Sequence, residues 1–194
     1  MRRIILASAS PRRRQLLEQA GIKFELMTST EEETAQGESP QETVMMLSRR
    51  KAENVEKRTW GDRTIIGADT VVAIDGKILG KPADDEQALA MLTMLQGNVH
   101  QVYTGVTIIE DRKGSRNIHT FYRKTDVEMY PEDEPVLRKY IATGEGRDKA
   151  GSYAIQGLGA VFVRSICGDY NNVVGLPASE IWQYLFGRKN RDRG

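Results

Sequence analysis

Apolar residues along the chain switch repeatedly between strand-like and helix-like spacing, the pattern of an α/β protein. A short β-type run, Arg3 to Ala7, ends in Ser8-Ala9-Ser10. Pro11 then stands where helices begin, with Ser10 as a candidate N-cap; Leu16, Leu17 and Ala20 carry helical spacing up to Gly21. The opening therefore predicts strand, tight loop and helix. Lys23 to Met27 predicts a second strand, followed by a polar, acidic loop from Thr28 to Glu38. Ser39-Pro40 with Glu42 opens another helix, with Val44, Met45, Leu47 and Ser48 on one face and Lys51-Ala52 further along. Thr64 to Ile74 predicts a buried strand interrupted by a polar centre at Asp69-Thr70. Asp75-Gly76 is a hairpin signal, with Lys77 to Leu79 as the returning strand.

The second half continues in the same manner. A helix is predicted over Asp84 to Leu95, stopped by Gly97, and strands over Val99 to Ile109 and Asn117 to Met129, joined by a turn at Asp111 to Ser115. A helix over Pro131 to Ala142 precedes Gly144, Ala160 to Ile166 predicts a strand, and Pro177 to Phe186 the last helix. The long adjacent strands at 99–129 argue against a purely parallel sheet. The expected fold is a mixed, curved sheet with helices around it: one domain spanning 1–194, built as two inseparable lobes flanking a cleft. The basic tail 188–194 is expected to fray.

Composition narrows the function. Lys and Arg number 28 against 27 Asp and Glu, a net charge of +1, which gives no global attraction to nucleic acid or anionic membrane. Any phosphate-binding surface must be local. No apolar run approaches the ~20 residues that span a bilayer. The Arg- and Ser-rich opening superficially resembles a targeting segment but reads better as strand, loop and helix. A single cysteine, Cys167, excludes an internal disulfide framework and a Cys-rich zinc site, and suits a reducing, cytoplasmic setting. Its apolar surroundings suggest a small core residue. Gly80-Lys81-Pro82 lacks the spacing and hydroxyl of a P-loop, and two histidines, His100 and His119, do not support a His-rich metal site or a Ser-His-Asp triad.

Four segments carry polar groups that the fold does not require. Ser8-Ala9-Ser10-Pro11-Arg12-Arg13 lies between a buried strand and a helix N-terminus, where backbone N–H groups, hydroxyls and guanidinium groups suit phosphate. A capped helix with solvated arginines is an equally good account. Glu31-Glu32-Glu33 is most simply a solvated loop; beside a phosphate site its carboxylates suit Mg²⁺ or Mn²⁺. Asp69, inside a β-branched run, is costly to bury unless it is paired or on a metal. In the stretch from Lys149 to Gly157, Gln156 could read a base edge, whereas a glycine-bounded turn with Tyr153 in the core is the plainer alternative. Lys51 and Lys81 are further candidate phosphate contacts, each more simply a surface lysine when taken singly.

Together these segments resemble the Maf proteins, also called septum-formation-inhibitor homologues. The resemblance runs from Leu6-Ala7-Ser8 to Gly175-Leu176-Pro177 and includes Ser10-Pro11-Arg12-Arg13, Glu32-Glu33, Lys51-Ala52, Gly67-Ala68-Asp69-Thr70, Gly80-Lys81-Pro82, Lys149-Ala150-Gly151 and Gln156-Gly157. It implies an elongated fold like that of the inosine triphosphate pyrophosphatases. It also implies divalent-metal-dependent cleavage of nucleoside triphosphates to monophosphate and pyrophosphate, and a cytoplasmic homodimer. Arg12, Thr70 and Gln156 resemble the specificity positions of the branch acting on dTTP and UTP, and unlike the branch acting on 7-methyl-GTP. The position before the acid pair is usually apolar in that family; here it is Glu31, which leaves Glu33 as first choice of metal ligand and Glu32 as second.

The expected mechanism has Ser8, Arg12, Arg13, Lys51, Lys81 and Lys149 holding the triphosphate, Glu33, Glu32 and Asp69 placing Mg²⁺ or Mn²⁺, and Asp69 acting as general base. Modified pyrimidine nucleotides are further candidate substrates. The rival expectation is a non-catalytic nucleotide sensor that restrains cell division.

Overall fold

The computed structural model describes residues 3–30 and 39–187. The elements are β1 (Ile4–Leu6), α1 (Pro11–Gln19), β2 (Glu25–Leu26), α2 (Pro40–Glu56), β3 (Arg63–Ile74), β4 (Lys77–Leu79), α3 (Asp85–Leu95), β5 (Val99–Arg112), β6 (Ser115–Met129), α4 (Glu134–Ala142), β7 (Val163–Cys167), α5 (Tyr170–Val174) and α6 (Ala178–Phe186), with 3₁₀ turns at Ala150–Ser152 and Leu158–Phe162. The strands form one 7-stranded sheet, ordered β2-β1-β3-β5-β6-β7, with β4 also on β3. β1 runs parallel to β2 and β3, while β3, β4, β5, β6 and β7 pair antiparallel. The sheet is therefore mixed, as the long central hairpin requires.

Strand periodicity assigns the faces. Ile65, Gly67, Asp69, Val71 and Ala73 of β3 point to the face covered by α2; Ile5, Ala7, Ala52, Val55, Ile65 and Ile109 pack together there. The opposite face carries two apolar clusters. One joins Leu6, Ile66 and Ile108 to Leu17 of α1 and Ile181 of α6. The other joins Val72, Ile74 and Val102 to Leu92 of α3 and Leu137 and Ile141 of α4.

Several boundaries differ from the sequence pattern. The buried strand with its polar centre at Asp69-Thr70 is present as β3, and it runs unbroken for 12 residues through that centre, because β5 pairs with it from Arg63 to Ala73. The second strand shrinks to Glu25–Leu26, being paired only to β1. Helix α4 starts at Glu134 rather than Pro131, with Asp133 at the N-cap position and Pro135 in its first turn, where the missing N–H is tolerated. Leu158–Phe162 is a 3₁₀ turn, so β7 begins only at Val163. The short α5 follows Asp169, whose side chain accepts the Asn171 N–H; its five residues are too few for a periodic signal. Cys167 is exposed at the end of β7, not in the core, because β7 is an edge strand.

Two glycines let α2 lie directly on the sheet. A Cβ on Gly67 would stand 2.3 Å from the Ser48 carbonyl oxygen, and one on Gly105 would stand 2.3 Å from that of Val44. Gly105 is the residue opposite Asp69 on β5. The Ser48 and Thr107 hydroxyls bond at 3.0 Å across the same interface. Gly105→Ala should push α2 off the strand and destabilise the protein by about 3 kcal/mol, the upper part of the overpacking range. Urea denaturation reads this as a lower midpoint at unchanged slope.

Candidate active site

A gap in the sheet places the site. On one edge β3 pairs with β5 along its length. On the other it pairs with β1 through Thr64, Ile65 and Ile66 and with β4 through Val72, Ala73 and Ile74. Among the described residues, 67–71 have no strand partner on that edge. A cleft of about 860 Å³ opens there. Because successive side chains alternate in direction, Asp69 and Thr70 reach this one cleft from opposite faces of the sheet.

On the α2 face, Asp69 is buried and its Oδ1 receives Lys51 Nζ at 2.6 Å. Lys51 is itself buried on α2, so it is not the surface lysine that it would be taken for singly. Each charge supplies the partner the other needs away from water. The contact follows from the glycines, which bring α2 within reach of the strand.

On the other face, the α1 N-terminus meets β3. Ser10 occupies the N-cap position but its side chain makes no capping bond, and no acid lies in the first turn, so the positive end of the helix is left to the cleft. Arg13 Nε donates to the Gly175 carbonyl at 2.8 Å, Nη1 to Ser8 Oγ at 3.2 Å and Nη2 to Thr70 Oγ1 at 3.0 Å. One guanidinium thus ties together α1, the end of β1, β3 and the residue after α5.

The rim is cationic. Arg12, Lys81 and Lys149 line the cleft together with Ser8, Asp69, Thr70 and Gln156. The structure therefore brings together every candidate site residue within its described range; Glu32 and Glu33 lie outside that range. Asp148, which the sequence reading missed, lies 3.8 Å from Arg12 and also engages Lys149. Burial alone would raise its pKa, but the Lys149 hydrogen bond and the charges of Lys149 and Arg12 outweigh that and hold it below the usual range. Its position beside Lys149 was the signal available.

The segment carrying Lys149 and Gln156 is fixed at several points. The Gly151 N–H donates to the Gly80 carbonyl at 3.0 Å. Glu145, also missed, accepts the Leu158 and Gly159 N–H groups, each at 2.9 Å. Its pKa would be raised by burial, yet these bonds keep it below the ordinary value. Tyr153 is buried and its hydroxyl lies 2.8 Å from His100 Nε2.

Among the described residues no group of three or more His, Cys, Asp or Glu side chains could hold a metal ion. Asp69 and Asp148 are the carboxylates that line the cleft among the described residues, and Asp69 is the buried one. No helix among the described residues is long and apolar enough to cross a membrane.

Residues 3–187 match the family of Maf-like proteins. The chain belongs to the Maf-like family. The Maf-like relatives include a protein named dTTP/UTP pyrophosphatase from Agathobacter rectalis, 50% identical over 95% of this chain and 97% of its own length. Proteins of the same name from Thermoanaerobacter sp. and Bacillus cereus are each 48% identical, covering 94% and 95% of this chain and 95% of their own lengths. Among solved structures, a HAM1 protein from Coxiella burnetii aligns with a TM-score of 0.43 and 17% identity, over 68% of this chain and 75% of that one.

His100 gives this Maf-like chain a measurable pH dependence. The ring is fully buried and Nδ1 has no hydrogen-bond partner among the described residues; burial lowers its pKa from 6.5 to about 4. Between those values the unfolded chain holds a proton that the folded one refuses. The contribution of this ring to stability is therefore full above pH 6.5, falls as pH drops, and is lost below about 4. The total loss from this ring is about 3 kcal/mol. Thermal melts of His100→Gln across pH 4 to 6.5 should show a flatter profile than the parent.

Proposed function

We propose that the protein hydrolyses dTTP and UTP to the monophosphate and pyrophosphate. The observation that carries this is the buried Asp69–Lys51 pair on the floor of a cleft whose rim is cationic. The names of the Maf-like relatives support the substrate class.

In this reading Ser8, Arg12 and the N-terminus of α1 hold the triphosphate, and Lys81 and Lys149 neutralise its oxygens. Lys51 orients Asp69 and adds positive charge beside the transferring phosphoryl group. Asp69 accepts a proton from water as the oxygen attacks the α-phosphorus. The bond from that phosphorus to the bridging oxygen breaks, and pyrophosphate leaves with the electron pair, its charge stabilised by the lysines. Gln156 and Thr70 contact the base.

A divalent cation belongs to the same reading. Asp69, with Glu33 or Glu32 from the segment outside the described residues, would give two carboxylates. That donor set fits Mg²⁺ or Mn²⁺, which complete their shells with phosphate oxygens and water. The cation supplies Lewis-acid stabilisation of charge developing on the phosphates. The proposal extends to a cytoplasmic homodimer, as the family resemblance implies.

The test is pyrophosphate release from each triphosphate with and without Mg²⁺ or Mn²⁺. UTP and dTTP should be the best substrates, and chelation should stop turnover. Asp69→Asn should lower kcat by at least about 10³-fold, within the range for loss of a general base; near-normal turnover would remove that role. Binding of UTP by the parent without release would instead favour a nucleotide sensor. Gln156→Ala should change the preference among bases by about ten- to a hundredfold, the effect of one hydrogen bond to the base. Ratios of kcat/KM across the triphosphates measure this.

A further inference from the structure

The hydrogens of two cleft hydroxyls are assigned by their neighbours. Thr104 Oγ1 lies 3.0 Å from the Asn172 carbonyl oxygen. A carbonyl only accepts, so the single Thr104 hydrogen is committed there. Across the 2.9 Å contact between Thr70 and Thr104, Thr70 must then be the donor. The other acceptor near Thr70, the Gly175 carbonyl, is farther away at 3.4 Å. Arg13 has only hydrogens to give, and its Nη2 occupies a lone pair of Thr70. What Thr70 can offer a ligand is its remaining lone pair.

Ser8 is the reverse case. Its Oγ accepts from the Ser10 N–H at 3.2 Å and from Arg13 Nη1 at 3.2 Å. Both lone pairs are in use, and the hydroxyl hydrogen is what remains for a ligand. The chain of bonds is anchored by Asn172, which is fully buried and donates through Nδ2 to the Val102 carbonyl at 3.0 Å and to Thr125 Oγ1 at 2.9 Å.

A phosphate oxygen cannot pair with a hydroxyl that only accepts. The substrate group at Thr70 must carry a hydrogen. On UTP or dTTP those groups are the base N3–H and the sugar hydroxyls. Val72, Val102, Val174 and Tyr153 line the same cleft and suit the flat face of a base. We propose that Arg13, Thr104 and Asn172 are positioning residues that fix the hydrogen-bond polarity of the cleft, leaving Ser8 a donor to phosphate and Thr70 an acceptor for the N3–H of uracil or thymine. Cytosine presents a lone pair at N3 and would set acceptor against acceptor. This inference rests on the pyrimidine triphosphate reading above.

The experiment compares kcat and KM for UTP and CTP in the parent, Thr104→Val and Thr104→Ser. Valine removes the nearer acceptor of the Thr70 hydrogen and leaves only the longer contact to the Gly175 carbonyl at 3.4 Å, so Thr70 is freer to turn that hydrogen toward the base. The UTP-to-CTP ratio of kcat/KM should fall by about tenfold, the worth of one hydrogen bond. The change should come from KM, with a higher value for UTP and a lower one for CTP. Thr104→Ser keeps the acceptor and should keep the parent ratio. Equal loss on both substrates in Thr104→Val, or a Thr104→Ser ratio as low as that of valine, overturns the proposal. N3-methyl-UTP on the parent enzyme gives an answer that does not depend on a variant folding: kcat/KM should fall at least about tenfold relative to UTP, and equal turnover overturns the proposal. A parent enzyme inactive on UTP and dTTP would instead remove the pyrimidine reading on which this one stands.

Discussion

The site depends on how closely α2 can approach β3. With side chains at positions 67 and 105, the helix would stand off the sheet and Lys51 Nζ could not sit 2.6 Å from the Asp69 carboxylate. An isolated carboxylate on a buried strand face is unfavourable by several kcal/mol. The ion pair makes that placement tolerable, and the two glycines make the ion pair possible. Packing and chemistry are joined at this point: the contact that seats the helix also presents the carboxylate, held in one orientation, to the cleft.

The second constraint is topological. β3 is long enough to be flanked on one edge by β1 and β4 in succession, and the space between them exposes residues 67–71. An edge that is paired at both ends is held straight while its middle stays open to a ligand. This is how Asp69 and Thr70, one residue apart and on opposite sheet faces, serve a single cavity. The charge on the rim comes from elsewhere: the α1 N-terminus, the turn after β4, and the 3₁₀ segment after α4. Glu145, Tyr153 and the Gly80–Gly151 backbone bond hold that last segment in register with the floor.

Arg13 shows how much depends on partners rather than residue type. Read along the chain, Arg12 and Arg13 are equivalent cations at a helix start. In the fold Arg12 faces Asp148 at the rim, while Arg13 turns inward to a carbonyl and two hydroxyls. A planar guanidinium with several diverging N–H groups suits that inward role; an ammonium would not span the three acceptors in the same way.

By itself, the sequence determined the kinds of elements, their order and the segments that carry chemistry. Hydrophobic spacing and turn residues are local properties, and they placed the longer helices and the long hairpin to within a few residues, though not the five-residue α5. Residue type marked Ser8, Arg12 and Asp69 as candidates; Lys51, Lys81, Lys149 and Gln156 stood out only through the family resemblance that the order of the blocks carried. What the chain could not show was anything set by contact between distant segments. The continuity of β3 comes from pairing with β5, the brevity of β2 from having only β1 beside it, and the exposure of Cys167 from an edge position. The burial of Lys51, the roles of Asp148 and Glu145, and the split between Arg12 and Arg13 all follow from partners far along the chain. The direction of the Thr70 hydrogen is the extreme case. It is set by a carbonyl in a five-residue helix that leaves no periodic trace, acting through a threonine on a neighbouring strand.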